Sequence, residues 1–264
     1  MAITSDDPPA VGGEPPDEEA GLGQMSLMEH LRELRHRLIV SAIAVAVGAT
    51  IAFLFYNRIL DFLVHPYCQV IKKHPHFAGS NGCKLVITDP LEGFTTRLKV
   101  SGYAGLLLAS PVVLFQFARF VSPGLHKREK KYIIPFVVGS IFLFALGAVV
   151  ALLTFPQALN FLIGVGGSNI STFFSPAKYL GLITLIILAF GAAFEFPIIL
   201  VFLELIGVLT SARLRSWRRP ALVVIFIVAA VITPSQDPYS LFAMAIPMYI
   251  FYEASIIIGR IAKK

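Results

Sequence analysis

The chain has 264 residues, 56% of them hydrophobic and only 14% charged, where a soluble domain carries roughly a quarter charged. The deficit is concentrated in long uncharged runs, which excludes an ordinary soluble domain and predicts an all-α, multi-spanning membrane protein. The formal net charge of +6 hides two parts, because residues 1–24 hold Asp6, Asp7, Glu14, Asp17, Glu18 and Glu19 but no Lys or Arg. The basic residues fall in short clusters between apolar runs, as loops facing an anionic leaflet do. No recognised binding motif accompanies that charge, so nucleic acid is not an expected partner.

Residues 1–24, rich in Pro, Gly and acids, read as a disordered tail that lacks the apolar residues to offset ordering entropy. This acidic start has no basic flank followed by an apolar core, so it does not read as a secretory signal peptide. Leu27, Leu31, Leu34 and Leu38 then recur at helical spacing, predicting an amphipathic helix on the membrane surface ahead of the first span. Residues 25–264 form the membrane domain, with spans expected at about 38–56, 100–119, 132–155, 178–208, 220–233 and 240–259. The third and fourth come from splitting the uncharged stretch Tyr132–Ala177 near Pro156, since "GVGGSNI" reads as a turn. The fifth is short for a span and predicts local bilayer thinning or tilted neighbours.

Arg32, Arg35 and Arg37 precede the first span, Lys127–Lys131 separates the second and third, and Arg213–Arg219 separates the fourth and fifth. Arg260, Lys263 and Lys264 close the chain, while the segments near 156–175 and 234–239 carry no Lys or Arg. The positive-inside rule then puts both termini in the cytoplasm. The loop 56–98, placed outside, holds both cysteines, Cys68 and Cys83. A disulfide between them would stabilise the loop by roughly 3 kcal/mol; two free thiols are the alternative. His65, His74 and His76 lie nearby, but their spacing matches no standard metal site.

No GxxxxGK[ST], HExxH or GxSxG occurs, so neither an enzyme nor a bound cofactor is expected. What remains is the placement of acids. Glu29 and Glu33 are four residues apart on one helix face, and Glu129 is the single acid in "LHKREKK". Local ion pairs with the neighbouring arginines explain them in one way. Carboxylates presented to a cationic partner at the membrane surface explain them in another, and arginine's bidentate geometry suits that role best. Glu195 stands inside "IILAFGAAFEFPIILVFLELIG", where a charged carboxylate costs at least ~2.5 kcal/mol. It is either a protonated acid bonded to backbone loosened by Pro197 or a polar point in an open pocket.

Six motifs occur together along the chain: "HLRELRHRL" at 30–38, "TDPLEGF" at 88–94, "SPVVLFQFARFVSPGLHKREKK" at 110–131, "FGAAFEFPI" at 190–198, "LRSWRRP" at 214–220, and "TPSQDPYS" followed by "AIPMYIFYE". In this order they resemble the C subunit of the twin-arginine protein translocase, the TatC family, over residues from about 25 to 260. The resemblance implies a cupped, glove-like bundle of six transmembrane helices with both termini cytoplasmic, in a bacterial plasma (inner) membrane. It implies a receptor for twin-arginine signal peptides that exports folded proteins on the proton-motive force, in a homo-oligomeric complex with single-span subunits of the TatA/TatB type. Carried over by motif, Glu33 and Glu129 receive the paired arginines, with Arg35 and Phe120 in support. Glu195, Asp237 and Thr233 become intramembrane polar points met by lipid, water or partner helices. The competing expectation is a proton-coupled carrier of a small solute using Glu195, although no internal repeat of the kind such folds show is visible.

Overall fold

The computed structural model describes residues 27–73, 83–121, 133–165, 175–205 and 207–261. The acidic tail and Glu129 lie outside the described residues. Every regular element among them is helical: α1 (Leu27–Leu54), α2 (Tyr56–Lys73), α3 (Glu92–Val121), α4 (Ile133–Val165), α5 (Pro176–Ala193), α6 (Phe196–Leu205), α7 (Ser211–Ser216), α8 (Arg218–Ile232) and α9 (Pro238–Ile261).

Among the described residues five segments are long and apolar enough to cross a bilayer, with α5 and α6 together making one of them. The fifth expected span is α8, whose 15 residues rise about 22 Å against a hydrocarbon core of ~30 Å. Large apolar side chains face outward along the spans, among them Ile43, Val47 and Ile51 on α1 and Phe142, Val149 and Leu153 on α4. Such contiguous apolar surface has no place in water and marks the lipid-facing sides.

Three boundaries differ from expectation, the first being α3, which starts at Glu92, ahead of Lys99, rather than at 100. The amphipathic segment from Leu27 is not a separate surface helix, because α1 continues unbroken to Leu54. No proline or glycine interrupts it between Leu27 and Val47, so the helix has no reason to stop at the interface. Nor does the third span end at Pro156, since α4 runs through it to Val165. Proline removes one helical hydrogen bond, but the turns beyond it bury Ala158, Leu159 and Ile163 completely or nearly so. Burial of that face keeps the helix going.

The core is built around α5, which buries Tyr179, Leu180, Ile183, Ile186, Ile187 and Phe190. It packs against α3 and α4, while α9 packs on α4, α6, α7 and α8. The amphipathic α2 turns Leu63, Tyr67, Val70 and Ile71 inward at helical spacing and is pinned where Tyr179 Oη donates to the Leu63 carbonyl at 2.8 Å.

On the far side of the sequence, α1 packs almost wholly along α3. Ala44, Gly48 and Ala52 on α1 and Ser101, Gly105 and Ala109 on α3 are each spaced by four, giving two small-residue stripes. They meet closely: a Cβ on Gly105 would stand 2.3 Å from the Ala49 backbone nitrogen, and one on Gly48 would stand 2.7 Å from the Gly105 carbonyl oxygen. Only glycine permits that approach.

Glu92, in the first turn of α3, ties two helix starts together. Its Oε2 accepts from Thr88 N at 2.8 Å and Thr88 Oγ1 at 3.0 Å. Its Oε1 accepts from Ala177 N at 3.2 Å, in the first turn of α5. A carboxylate there satisfies donors that the helix leaves orphaned. Glu92→Ala is therefore expected to lower the Tm of the purified protein by several degrees, with Glu92→Gln intermediate. An unchanged melting curve for the alanine variant would refute this bridging role.

Candidate functional site

Glu33 and Arg37 sit one turn apart on α1, and Gln116 and Phe120 one turn apart on α3. Arg37 donates through Nε to Glu33 Oε1 at 3.1 Å and through Nη2 to the same oxygen. Its Nη1 donates to Gln116 Oε1 at 3.1 Å. The arginine thereby bridges the two helices and fixes one oxygen of the carboxylate. The other oxygen, Glu33 Oε2, is shielded from water and has no hydrogen-bond partner among the described residues. A buried acceptor without a donor costs free energy, and an incoming guanidinium or ammonium would relieve that cost.

Beside it, the His30 imidazole stacks on the Phe120 ring with centroids 4.5 Å apart and planes at 27°. The site thus combines a constrained carboxylate with a flat aromatic platform, on which a guanidinium also stacks well. Arg35 is exposed; two positions from Glu33, it lies off the Glu33 face of the helix. The structure brings Glu33 and Phe120 together and leaves Arg35 at the rim. The Glu33–Arg37 pair is the local ion pairing expected from the sequence, while His30 and Gln116 complete the cluster without having been singled out there. The signal was available: 30, 33 and 37 share a face of α1, and 116 and 120 share one of α3.

The intramembrane acid sits at a break. The chain leaves α-helical bonding between α5 and α6, where Glu195 N donates to the Ala192 carbonyl at 3.1 Å, a tighter three-residue closure. Pro197 accounts for the break, since its ring cannot accept the carbonyl four residues earlier in a straight helix. The half-buried Glu195 projects beside Ser140 of α4. Its Oε1 is shielded, with no donor at bonding distance among the described residues. Glu204, the second acid of the same run, is wholly buried at 0% exposure. It presses against α9 at Gly259, where an added Cβ would fall 2.3 Å from Glu204 Oε1.

Asp237 and Thr233 are both buried. Asp237 caps α9: its Oδ1 accepts from Ser240 N at 2.8 Å, its Oδ2 accepts from Ser235 Oγ, and Pro238 follows at the first helical position. Gln236 ahead of it takes a left-handed φ of 49° to make the turn. Thr233 Oγ1 lies 3.8 Å from Met244 Sδ. Both residues thus have internal partners at the start of α9.

Cys68 and Cys83 are free thiols that lie together, with Cys68 Sγ 4.0 Å from the Cys83 carbonyl oxygen. Burial pushes the Cys68 thiol up to about 11, which disfavours its thiolate at neutral pH. Among the described residues no cluster of three metal-ligating side chains occurs.

The Glu33 carboxylate, the His30–Phe120 stack and the Glu195 break all lie within the residues that a known family covers. A family model for Sec-independent protein translocase protein (TatC) matches residues 29–247. The chain belongs to the TatC family. A TatC protein of Frankia casuarinae is 41% identical over 239 residues, an alignment covering 89% of this chain and 66% of that protein. One of Aquifex aeolicus is 39% identical over 243 residues, covering 91% of this chain and 97% of that protein. A crystal structure of a twin arginine translocase receptor, TatC, is similar with a TM-score of 0.71 at 39% identity, covering 89% of this chain and all of that one. TatC membership makes this chain a component of a protein translocase, a multi-pass membrane protein that works with other subunits, and not an enzyme. The solute-carrier expectation for Glu195 is set aside by it.

Proposed function

We propose that this TatC chain is the receptor of its translocase, binding twin-arginine signal peptides with Glu33 and Glu129. The observation that carries the proposal is the buried Glu33 Oε2, without a partner among the described residues, beside the His30–Phe120 stack. Arg37 already neutralises Glu33, so two incoming guanidinium groups need a further negative charge at the site. Glu129, the single acid in its basic segment, supplies it. Arginine outperforms lysine here because its planar fork matches a carboxylate and stacks on an aromatic face.

The basic clusters support a cytoplasmic position for both termini and this site under the positive-inside rule, with α8 as a short fifth span of six in the plasma membrane of a bacterium. Single-span subunits of the TatA/TatB type then associate along α8 and α9, and several copies of the chain assemble in the active translocase. Glu195 serves transport rather than peptide binding, as a polar point where the kinked span opens beside Ser140.

The test separates the two sites in inverted membrane vesicles containing the complete translocase and a folded precursor. Collapsing the proton gradient with an uncoupler is expected to stop export without releasing the bound signal peptide. Glu195→Ala is expected to cut export at least tenfold while changing peptide affinity less than twofold. Full export by Glu195→Ala would return the residue to a structural role, and export that survives the uncoupler would remove the proton-motive force from the mechanism.

A further inference from the structure

At the end of the bundle that carries the basic segment 213–219, an apolar groove of about 350 Å³ opens between α6, α7, α8 and α9. Phe196, Leu200, Ala221 and Val224 line it, and the exposed Arg213 and Trp217 stand over it from α7 and the α7–α8 junction. The groove has the size of a small-ligand site yet is apolar apart from this one cationic side chain. Arg213 has no carboxylate partner among the described residues, whereas nearby Arg218 is held by Glu253 of α9. Arg215 and Arg219, both exposed, add to the positive field at the same level. A tryptophan beside an arginine at the end of a span marks headgroup depth. The apolar lining suits an alkyl chain, and the cationic side chain at its mouth suits an anionic headgroup.

We propose that this groove holds one acyl chain of an anionic phospholipid, whose phosphate is bound by Arg213 at the level of Trp217. Guanidinium pairs with phosphate through two parallel hydrogen bonds, so headgroup charge selects the lipid and the groove seats its tail. The lipid would then bridge the second half of the kinked span to α8, the shortest span of the bundle. This site is separate from Glu33 and does not depend on the peptide-receptor proposal.

Trp217 is the only tryptophan in the chain, so its fluorescence reports on the groove directly. The full chain is reconstituted in phosphatidylcholine vesicles, and phosphatidylglycerol or phosphatidylcholine brominated on the acyl chains is added in increasing fraction. Brominated phosphatidylglycerol is expected to half-quench Trp217 at about a fivefold lower mole fraction than brominated phosphatidylcholine, the worth of one arginine at an anionic surface. Arg213→Gln abolishes that preference, Arg213→Lys keeps part of it, and Ala221→Phe, which fills the groove, weakens quenching by both lipids. Equal quenching by the two lipids in the unmodified chain overturns the proposal, as does a preference that survives in Arg213→Gln. So does an equal loss of preference in Arg260→Gln, which would mean diffuse attraction to the leaflet. Shielding of Trp217 from both lipids would show a protein segment in the groove instead and would also overturn it.

Discussion

Replacing Glu33 with alanine is expected to raise the Kd for a twin-arginine signal peptide between about tenfold and a hundredfold, the loss of one or two charge-assisted hydrogen bonds. The effect has two parts. The substitution removes Oε2, which has no partner among the described residues, and it releases Arg37 from Oε1. A freed Arg37 then adds an unneutralised positive charge beside an incoming guanidinium. Glu33→Gln keeps the shape and removes only the charge, so it falls between wild type and Glu33→Ala. Gln116→Ala separates the contributions further, since it loosens Arg37 while leaving the carboxylate in place; a few-fold loss is expected. Isothermal titration with a synthetic peptide measures all three. If Glu33→Ala binds as tightly as wild type, the Glu33–Arg37 pair is only a structural bridge between α1 and α3.

Gly105→Leu is expected to be the most damaging single substitution outside the site. Its side chain would have to occupy the space of the Ala49 backbone, with the first carbon already only 2.3 Å from Ala49 N. Backbone cannot swing aside as a flexible side chain does, so α1 must move away from α3. Overpacking of this kind typically costs about 1–3 kcal/mol, and α1 has little other packing to retain it. Because Glu33 is on α1 and Gln116 and Phe120 are on α3, the same displacement opens the binding site. Gly105→Leu should therefore lose thermal stability and peptide affinity together. Gly102, one turn earlier on α3, has open space where its Cβ would be. Gly102→Leu should change neither property. Equal stability of the two variants in a detergent melting experiment would contradict the close packing of the two stripes.

The spans were legible wherever apolar runs ended at charges. Arg119 lies beside the end of the second, although α3 runs through Lys99 from Glu92, and the segment "RLRSWRRP" separates the fourth from α8. The acid at the kink was legible too, because Glu195 before Pro197 violates what a lipid-facing helix allows. Two helix ends were misplaced because the deciding contacts are tertiary. Pro156 is a strong local stop signal, but burial of Ala158, Leu159 and Ile163 outweighs it. The segment from Leu27 has surface-helix periodicity, but nothing in its backbone chemistry separates it from the span that follows.

The site was half legible for the same reason. All five residues stand in the quoted motifs, but the contacts of His30 with Phe120 and of Arg37 with Gln116 exist only once α1 lies against α3. That pairing is set by Gly48 and Gly105, whose small size matters only when the opposite backbone is known. Asp237 shows the converse. Its intramembrane role was expected only from the family resemblance, yet the Asp-Pro sequence is also a helix start, and the structure has Asp237 capping α9.

The receptor proposal stands or falls on whether arginine pairs are recognised at the Glu33–Glu129 surface. The most direct measurement places a photoreactive amino acid at position 129 of the full chain and adds a synthetic signal peptide carrying either Arg-Arg or Lys-Lys. A crosslink formed with the Arg-Arg peptide, at least tenfold weaker with Lys-Lys and competed by unlabelled Arg-Arg peptide, is the predicted result. Equal crosslinking of the two peptides, or none with either, would contradict it.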